Sequence, residues 1–181
     1  MVTDRLEEVL DATYECLARY GVRRTTVDDI ARTMGVSRSA VYQYVRGKDD
    51  AVRRLAERLH AQAFERAQAA AAADIAAAER IRGILGAKLE LVLQLTENST
   101  HAGELLDEKA RLFGDVCTAF TADIRALLVA QFTAAGTVSS VTPAVAADVC
   151  IVMVLGLEQA QRARTLFDPA LTALLAGLLN R

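Results

Sequence analysis

The sequence predicts an all-α protein of about nine helices, with a small three-helix head at the N-terminus and a larger helical domain after it. Apolar residues recur at helical spacing along most of the chain. Alanine and leucine are abundant, whereas the 181 residues include only two prolines and no tryptophan. This composition favours helix over sheet. Glycine, serine, asparagine or a capped proline separates the periodic segments.

Four helices are predicted in the first 73 residues. Asp4 and Glu7 have the spacing of a capping box, and Gly21 stands where a C-terminal glycine cap belongs. Thr26 and Ser37 are natural N-caps for two short helices that follow. The predicted bounds are 4–20, 27–34, 38–45 and 48 to about 73.

Five further helices are predicted in the remainder. Thr142 and Asp168 are N-capping residues that each precede a proline, so we expect Pro143 and Pro169 to open the last two helices. The predicted bounds are 79–97, 102–112, 115–135, 143–164 and 169–179. The chain is expected to divide into a head at 1–47, a connecting helix at 48–73 and a second domain at 74–181.

Charge is distributed unevenly along the chain. The formal net charge is only -2. Residues 20–60 contain nine Lys or Arg and five Asp or Glu, a net of +4, whereas residues 61–181 contain ten and thirteen, a net of -3. A small basic head on an acidic remainder suits contact with nucleic acid, although chance would explain a difference of this size equally well.

Cysteine and histidine positions predict no metal site. Cys16, Cys117 and Cys150 are far apart and lie in apolar helical patterns, so we expect buried, reduced thiols. His60 is expected to be solvated. The N-terminal segment is polar and amphipathic, and the longest apolar run, 149–157, is too short for a bilayer. We therefore expect a cytoplasmic protein without a signal peptide or membrane contact.

The segment 25–48, TTVDDIARTMGVSRSAVYQYVRGK, meets the physical requirements of a helix-turn-helix. Its first helix has an inward apolar face, Gly35 suits the positive φ of the turn, and Val41 and Val45 face inward from the second helix. The other side of that second helix has hydrogen-bonding groups, an aromatic ring and no acid, which suits a major groove. These residues are Arg38, Ser39, Tyr42 and Gln43.

This segment, with the helix before it, resembles the DNA-binding domain of tetracycline-repressor (TetR) family regulators. It has two threonines, a hydrophobic-acid-acid-Ile-Ala run, Gly-Val-Ser, Tyr-x-Tyr and a lysine that opens the fourth helix, in the family's order and spacing. It departs from the family at Val45, usually phenylalanine, and at Gly47, often serine or threonine. The expected DNA-binding residues are Thr25, Thr26, Ser37, Arg38, Ser39, Tyr42, Gln43, Tyr44 and Lys48.

The resemblance implies a repressor that binds palindromic double-stranded operator DNA as a homodimer and is released by a small, mostly apolar effector. The last two predicted helices are rich in apolar residues, which predicts a dimer interface that includes Val149, Val152, Gly156, Leu171, Leu174, Leu175 and Leu178. A single intramolecular core is the alternative. Effector contacts are expected from His101, Phe113, Cys117, Phe120 and Met153.

Two other functions compete with this interpretation. A helical protein-interaction module without DNA binding would show the same periodicity. An enzyme is unsupported, because no nucleophile elbow, phosphate-binding loop, dinucleotide fingerprint or HExxH helix occurs. We therefore expect no catalytic residues, no metal and no cofactor.

Overall fold

The computed structural model describes the backbone of residues 2–97 and 102–179, and the side chains of residues 5–94, 104 and 107–179. This part of the chain forms eight helices and no β-sheet, which confirms the predicted all-α class. The helices are α1 (Val2–Arg24), α2 (Val27–Met34), α3 (Arg38–Val41), α4 (Lys48–Ala72), α5 (Ala77–Glu97), α6 (Ala102–Ala135), α7 (Pro143–Leu157) and α8 (Ala163–Leu178).

Two predicted helices are joined in α6. The prediction placed a break between residues 112 and 115, and the backbone does leave the helical conformation at Phe113, where φ is -153° and ψ is 29°. The helix resumes directly after this kink. The described residues therefore form eight helices, close to the predicted number of about nine.

The last two helices begin and end at other positions than predicted. α7 starts at Pro143 behind the Thr142 cap as expected, but it ends at Leu157 rather than near 164. α8 starts at Ala163, so Pro169 lies inside the helix and does not open it. Pro169 is exposed, and solvent can therefore hydrate the carbonyl that loses its N–H partner. The short α7 also places Gly156 in its last turn, not in mid-helix.

The chain divides into two compact units. The head unit is Met1–His60 with Gln94–Cys117, and the body unit is Ala61–Leu93 with Thr118–Arg181. The boundaries fall inside α4, α5 and α6. The expected division into three functional parts, with boundaries after residues 47 and 73, stays a prediction. Among the described residues, no helix combines the length and apolar character needed to cross a membrane.

The head unit has two apolar clusters on α1. Val9, Ala12 and Cys16 pack with the buried residues of α2, with Val41 of α3 and with Val45. On another side of α1, a second cluster includes residues of α4 and of α6 near the kink. Its members are Leu10, Leu17, Val22, Val52, Leu55, Ala56, Leu112 and Phe113.

The body unit contains a buried ion pair. Lys88 Nζ lies 2.8 Å from Glu158 Oε1, and each side chain is only 6% exposed. The ammonium also lies 5.9 Å from the centroid of the Phe120 ring. The surrounding core is apolar, and its most buried large side chains are Ile81, Ile84, Leu85, Ile124, Leu128, Phe132 and Leu171.

Replacement of Glu158 by Gln should lower the free energy of unfolding by about 3–5 kcal/mol, because Lys88 would be left in the core without its carboxylate partner. Urea denaturation measures this change. Asp148→Asn is the matched control, since it removes an exposed pair with Arg125 and should cost less than about 1 kcal/mol. Equal effects of the two substitutions would contradict the prediction.

Asp115 should make stability depend on pH in the acid range. The hydrogen bonds from Arg53, 2.9 and 2.6 Å long, lower the pKa of Asp115 from 3.8 to about 2. Its contribution is therefore present above pH 3.8 and is lost as the pH falls towards 2. In urea denaturation, the difference between the wild type and Asp115→Asn should shrink over this window. A difference that stays constant would show that Asp115 acts without its charge.

Candidate nucleic-acid interface

α2 begins with a complete capping box. Thr26 Oγ1 accepts a hydrogen bond from the Asp29 backbone N–H at 3.2 Å, and Asp29 Oδ2 accepts one from the Thr26 backbone N–H at 3.0 Å. The hydrogen bond from the Thr26 hydroxyl is the main cause that lowers the pKa of Asp29. Both side chains are thus held in a fixed position at the start of the motif.

The turn between α2 and α3 depends on Gly35. Its φ of 67° and ψ of 30° lie in the left-handed region that the sequence predicted. The Val36 N–H then returns to the Ala31 carbonyl at 3.0 Å. Ser37 caps α3 by accepting a hydrogen bond from the Ala40 N–H.

The recognition helix is shorter than predicted. α3 covers Arg38–Val41, whereas the prediction extended it to residue 45. Beyond Val41 the chain tightens, with hydrogen bonds from Gln43 N–H to the Ala40 carbonyl and from Tyr44 N–H to the Val41 carbonyl. These three-residue spacings describe a 3₁₀-like turn, which is common at helix ends. We call residues 37–45 the recognition segment.

The inward face of the motif is as predicted. Val27, Ile30 and Ala31 of α2 are buried together with Val41 and Val45. Val36 and Tyr44 are partly buried against the same cluster. Tyr44 therefore contributes packing to the head, and any phosphate contact that it makes would come from its hydroxyl.

The outward face of the recognition segment presents Arg38, Ser39, Tyr42 and Gln43, together with the Ser37 cap, and all five side chains are exposed. Arg38 Nη2 donates to Tyr42 Oη at 3.0 Å, and the guanidinium lies 5.4 Å from the centroid of the same ring. Arg38 Nη1 also lies 3.3 Å from Asp28 Oδ2. The Tyr42 hydrogen bond is the main cause that raises the pKa of Arg38, followed by the Asp28 charge.

Thr25 has a different environment from the one predicted. Its side chain is 1% exposed, and its hydroxyl lies 2.7 Å from the Gly21 carbonyl and 3.2 Å from the Cys16 carbonyl. A phosphate contact from this hydroxyl would have to break a buried hydrogen bond. Thr25 thus holds the end of α1 and supports Thr26, which is exposed at the surface.

Lys48 opens α4 as predicted, and its side chain reaches back to α1. Its Nζ donates to the Val22 carbonyl at 3.1 Å. An ammonium has three donors, so a phosphate contact is compatible with this bond. Arg46, two residues earlier, is an exposed cation beside the recognition segment that the sequence interpretation did not select.

The predicted effector residues fall in different units. Phe113 and Cys117 belong to the head unit, whereas Phe120 and Met153 belong to the body unit. His101 lies outside the described residues. His60 was predicted to be solvated, but it is 8% exposed, and the spacing of four from buried Ala56 could have indicated this. Among the described side chains, no group of three His, Cys, Asp or Glu could hold a metal ion.

The predicted dimer-interface residues also differ in their exposure, and several of them are buried. Leu171, Leu175 and Leu178 are buried in the body core, and Leu174 is half-buried. An exposed apolar stripe instead follows α7, with side chains between 39% and 68% exposed. This α7 stripe consists of Val145, Val149, Val152 and Leu155. Gly156 is exposed beside it, with no atom within 4 Å of the position of a Cβ.

Comparisons with known proteins agree with this geometry. The model of the family "Bacterial regulatory proteins, tetR family" matches residues 9–55, which include α1 from residue 9 onward, the complete helix-turn-helix and the start of α4. No curated protein sequence matches the chain.

Solved structures share the fold over almost the whole length. The fatty acid degradation regulator FadR of Bacillus halodurans is 15% identical, with a TM-score of 0.73 and coverage of 98% of this chain and 97% of that one. SmeT, the repressor of the Stenotrophomonas maltophilia multidrug efflux pump SmeDEF, is 20% identical, with a TM-score of 0.72 and coverage of 97% and 90%. A TetR/AcrR family regulator of Thermobifida fusca is 22% identical, with a TM-score of 0.67 and coverage of 96% and 98%.

Substitutions at Arg38 and Lys48 should affect DNA binding in different ways. If Arg38 contacts a base edge as predicted, Arg38→Ala should reduce discrimination against a wrong base by about 1–3 kcal/mol. If Lys48 contacts a phosphate as predicted, Lys48→Ala should weaken binding to all sequences alike and reduce the salt slope by about 1. Fluorescence anisotropy on specific and scrambled duplexes over a salt series measures both. Arg125→Ala, in the body unit, is the control and should change neither.

Proposed function

We propose that this chain, a DNA-binding transcriptional regulator of the tetR family of bacterial regulatory proteins, is a cytoplasmic repressor that binds a palindromic operator as a homodimer and is released by a small, mostly apolar effector. One observation carries the proposal. Val41 and Val45 fix the recognition segment to the head core while Ser39, Tyr42 and Gln43 remain exposed. A rigid segment with outward hydrogen-bonding groups is what base reading requires.

The exposed side chains suit two kinds of contact. Arg38 and Gln43 have the donors and acceptors that pair with guanine and adenine edges in the major groove. Thr26, Ser37, Ser39, Tyr42, Tyr44 and Lys48 supply hydroxyl or ammonium groups for base edges or phosphates. The Arg38–Tyr42 contact keeps both side chains ordered before DNA arrives, so less conformational entropy is lost on binding.

The α7 stripe supports a homodimer. Val152 is 68% exposed, and its neighbours at i-3, i-7 and i+3 are exposed and apolar as well. A symmetric contact would bury the same stripe on both copies. One recognition segment contacts few bases, whereas two that lie about 34–36 Å apart read both halves of a palindrome.

Relatives of the same fold support an effector with a large apolar part. The SmeT structure has been determined with triclosan, and FadR of Bacillus subtilis has been determined with stearoyl-CoA. In the present chain, effector contacts are proposed from Phe113, Cys117, Phe120, Met153 and His101. Phe113 and Phe120 are buried apolar rings, and Cys117 and Met153 are half-buried.

The function is tested with the DNA that lies upstream of the chain's own gene. A duplex from this region should shift in an electrophoretic assay, and a scrambled duplex of equal length should bind much more weakly at the same salt concentration. Equal affinity for the two duplexes would contradict sequence-specific regulation. In a reporter strain, deletion of the gene should raise expression from that promoter, and a fall would contradict repression.

Substitution of Val152 by Asp should give a folded monomer that binds the operator roughly 100-fold or more weakly, because one head alone makes half of the contacts. Light scattering after gel filtration measures the mass, and fluorescence anisotropy measures the affinity. Ile75→Asp is the matched control, since Ile75 is a 48% exposed apolar residue outside the stripe.

The control should remain a dimer with the wild-type affinity. A Val152→Asp protein that stays dimeric would show that the α7 stripe is not the interface. A monomer with full operator affinity would contradict the dependence of binding on the dimer.

A further inference from the structure

A thiol and an imidazole are paired inside the head unit. Cys117 Sγ on α6 lies 3.4 Å from His60 Nε2 on α4, and His60 Nδ1 lies 2.7 Å from the Ala56 carbonyl oxygen. A carbonyl oxygen only accepts, so Nδ1 carries the hydrogen of the neutral ring. The Nε2 lone pair then faces the thiol and can receive its proton.

The surroundings hold the imidazole in this orientation. His60 is 8% exposed, and the Phe113 ring packs edge-on against it at 6.4 Å between centroids. Both rings line a small apolar cavity of about 20 Å³. The other residues that line it are Leu17, Val52, Leu55, Ala56 and Leu59. This space holds one water-sized group. The base is therefore rigid and lies beside apolar surface.

The other two cysteines lack this arrangement. Cys16 is buried, its Sγ lies 3.3 Å from Thr33 Oγ1, and burial raises the pKa of its thiol. Cys150 is also buried, and burial raises its thiol pKa to about 12. Cys117 alone among the three is half-buried and has an imidazole as neighbour. A thiolate is the nucleophilic form of cysteine, so the three thiols should differ in reactivity.

We propose that Cys117 is a nucleophilic thiol assisted by His60, that small conjugated carbonyl compounds modify it, and that the adduct lowers operator affinity. The sulfur forms a bond to the β-carbon of the alkene, and the π electrons move to the α-carbon. His60 takes the thiol proton, and that proton finally goes to the α-carbon. Nothing is oxidised or reduced, and no group leaves. The expected decrease in operator affinity rests on the proposed function.

The position of the Cys117–His60 pair explains how an adduct would affect the recognition segment. Cys117 and His60 join α4 to α6 within the head unit, as do the Arg53–Asp115 and Arg111–Asp49 ion pairs. Packed interiors have no room for extra atoms without movement of their neighbours. An adduct between these helices should therefore displace α4, which begins three residues after the recognition segment.

The thiol is tested on the folded wild-type protein with N-ethylmaleimide as the probe. After short reaction times, quenching and digestion, mass spectrometry gives the fraction of each cysteine that is modified. Cys117 should react at least about 10-fold faster than Cys16 and Cys150, which are internal controls. Equal rates, or a faster Cys16, would overturn the proposal without any variant.

The role of His60 is tested with His60→Gln and His60→Asn, each checked for folding by circular dichroism. At pH 7 the rate at Cys117 should fall about 10-fold, and at pH 9.5 it should approach the wild-type rate, because hydroxide then removes the proton. The charged residues two positions before His60 and Cys117 are paired with other groups, Arg58 with Glu7 and Asp11, and Asp115 with Arg53. From α1, the Tyr14 hydroxyl donates to the Gln94 carbonyl. An equal fall at both pH values would show that His60 only controls access.

The effect on DNA is tested with the modified wild type and with Cys117→Ser that has received the same treatment. The modified wild type should lose at least about 10-fold in affinity for the upstream duplex, and the treated variant should not. Modification at Cys117 without a change in affinity would overturn the regulatory part. Failure of the untreated protein to bind the duplex would refute the proposed function, while the mass measurement still decides the reactivity of the thiol.

Discussion

Helix α1 is packed on two sides, and the arrangement of the head depends on this double burial. Val9 and Cys16 face the helix-turn-helix, whereas their sequence neighbours Leu10 and Leu17 face the layer made with α4 and α6. The recognition segment therefore rests on a helix that itself rests on residues more than 100 positions from the N-terminus. Because packed side chains transmit displacement, we expect a change near Phe113 to reach the recognition segment through α1.

Local signals explain why the helix-turn-helix was predictable. The Thr26 N-cap, the left-handed Gly35 and the spacing of Val41 and Val45 are each determined within a few residues, and all three occur as expected. Thr25 and Lys48 differ because their partners are carbonyls of α1, up to 26 positions away. No periodicity contains that information. The same applies to the length of α3, since the tight turn after Val41 has no residue signature of its own.

In the body unit, by contrast, the sequence pattern did not predict which side chains are buried. In α7 apolar residues surround the helix, so the pattern does not tell which side faces the core. The structure buries Ala146, Cys150 and Val154 and leaves the α7 stripe outside. In α8, Leu171, Leu175 and Leu178 are buried, whereas the leucine-rich sequence had suggested an interface there. The Lys88–Glu158 pair was equally hidden, because its members lie 70 positions apart and each resembles a surface residue.

His60 and Cys117 belong to no sequence motif, and the role proposed for them follows from their position in the head unit. His60 and Cys117 are the last residues of the head unit on α4 and on α6. Their contact thus closes the same layer against which Leu10 and Leu17 of α1 pack. Near the C-terminal end of α1, the Thr25 hydroxyl donates a hydrogen bond to the Gly21 carbonyl, and the Lys48 ammonium donates one to the Val22 carbonyl. α1 is consequently fixed at one end by side chains next to the recognition segment and along its length by the layer that contains the thiol. A chemical change at the thiol would act on α1 before Gly21, where the backbone leaves the helical conformation, and a phosphate at Lys48 would act on the residues just after it. Coupling between the two sites therefore requires that these two parts of α1 move together.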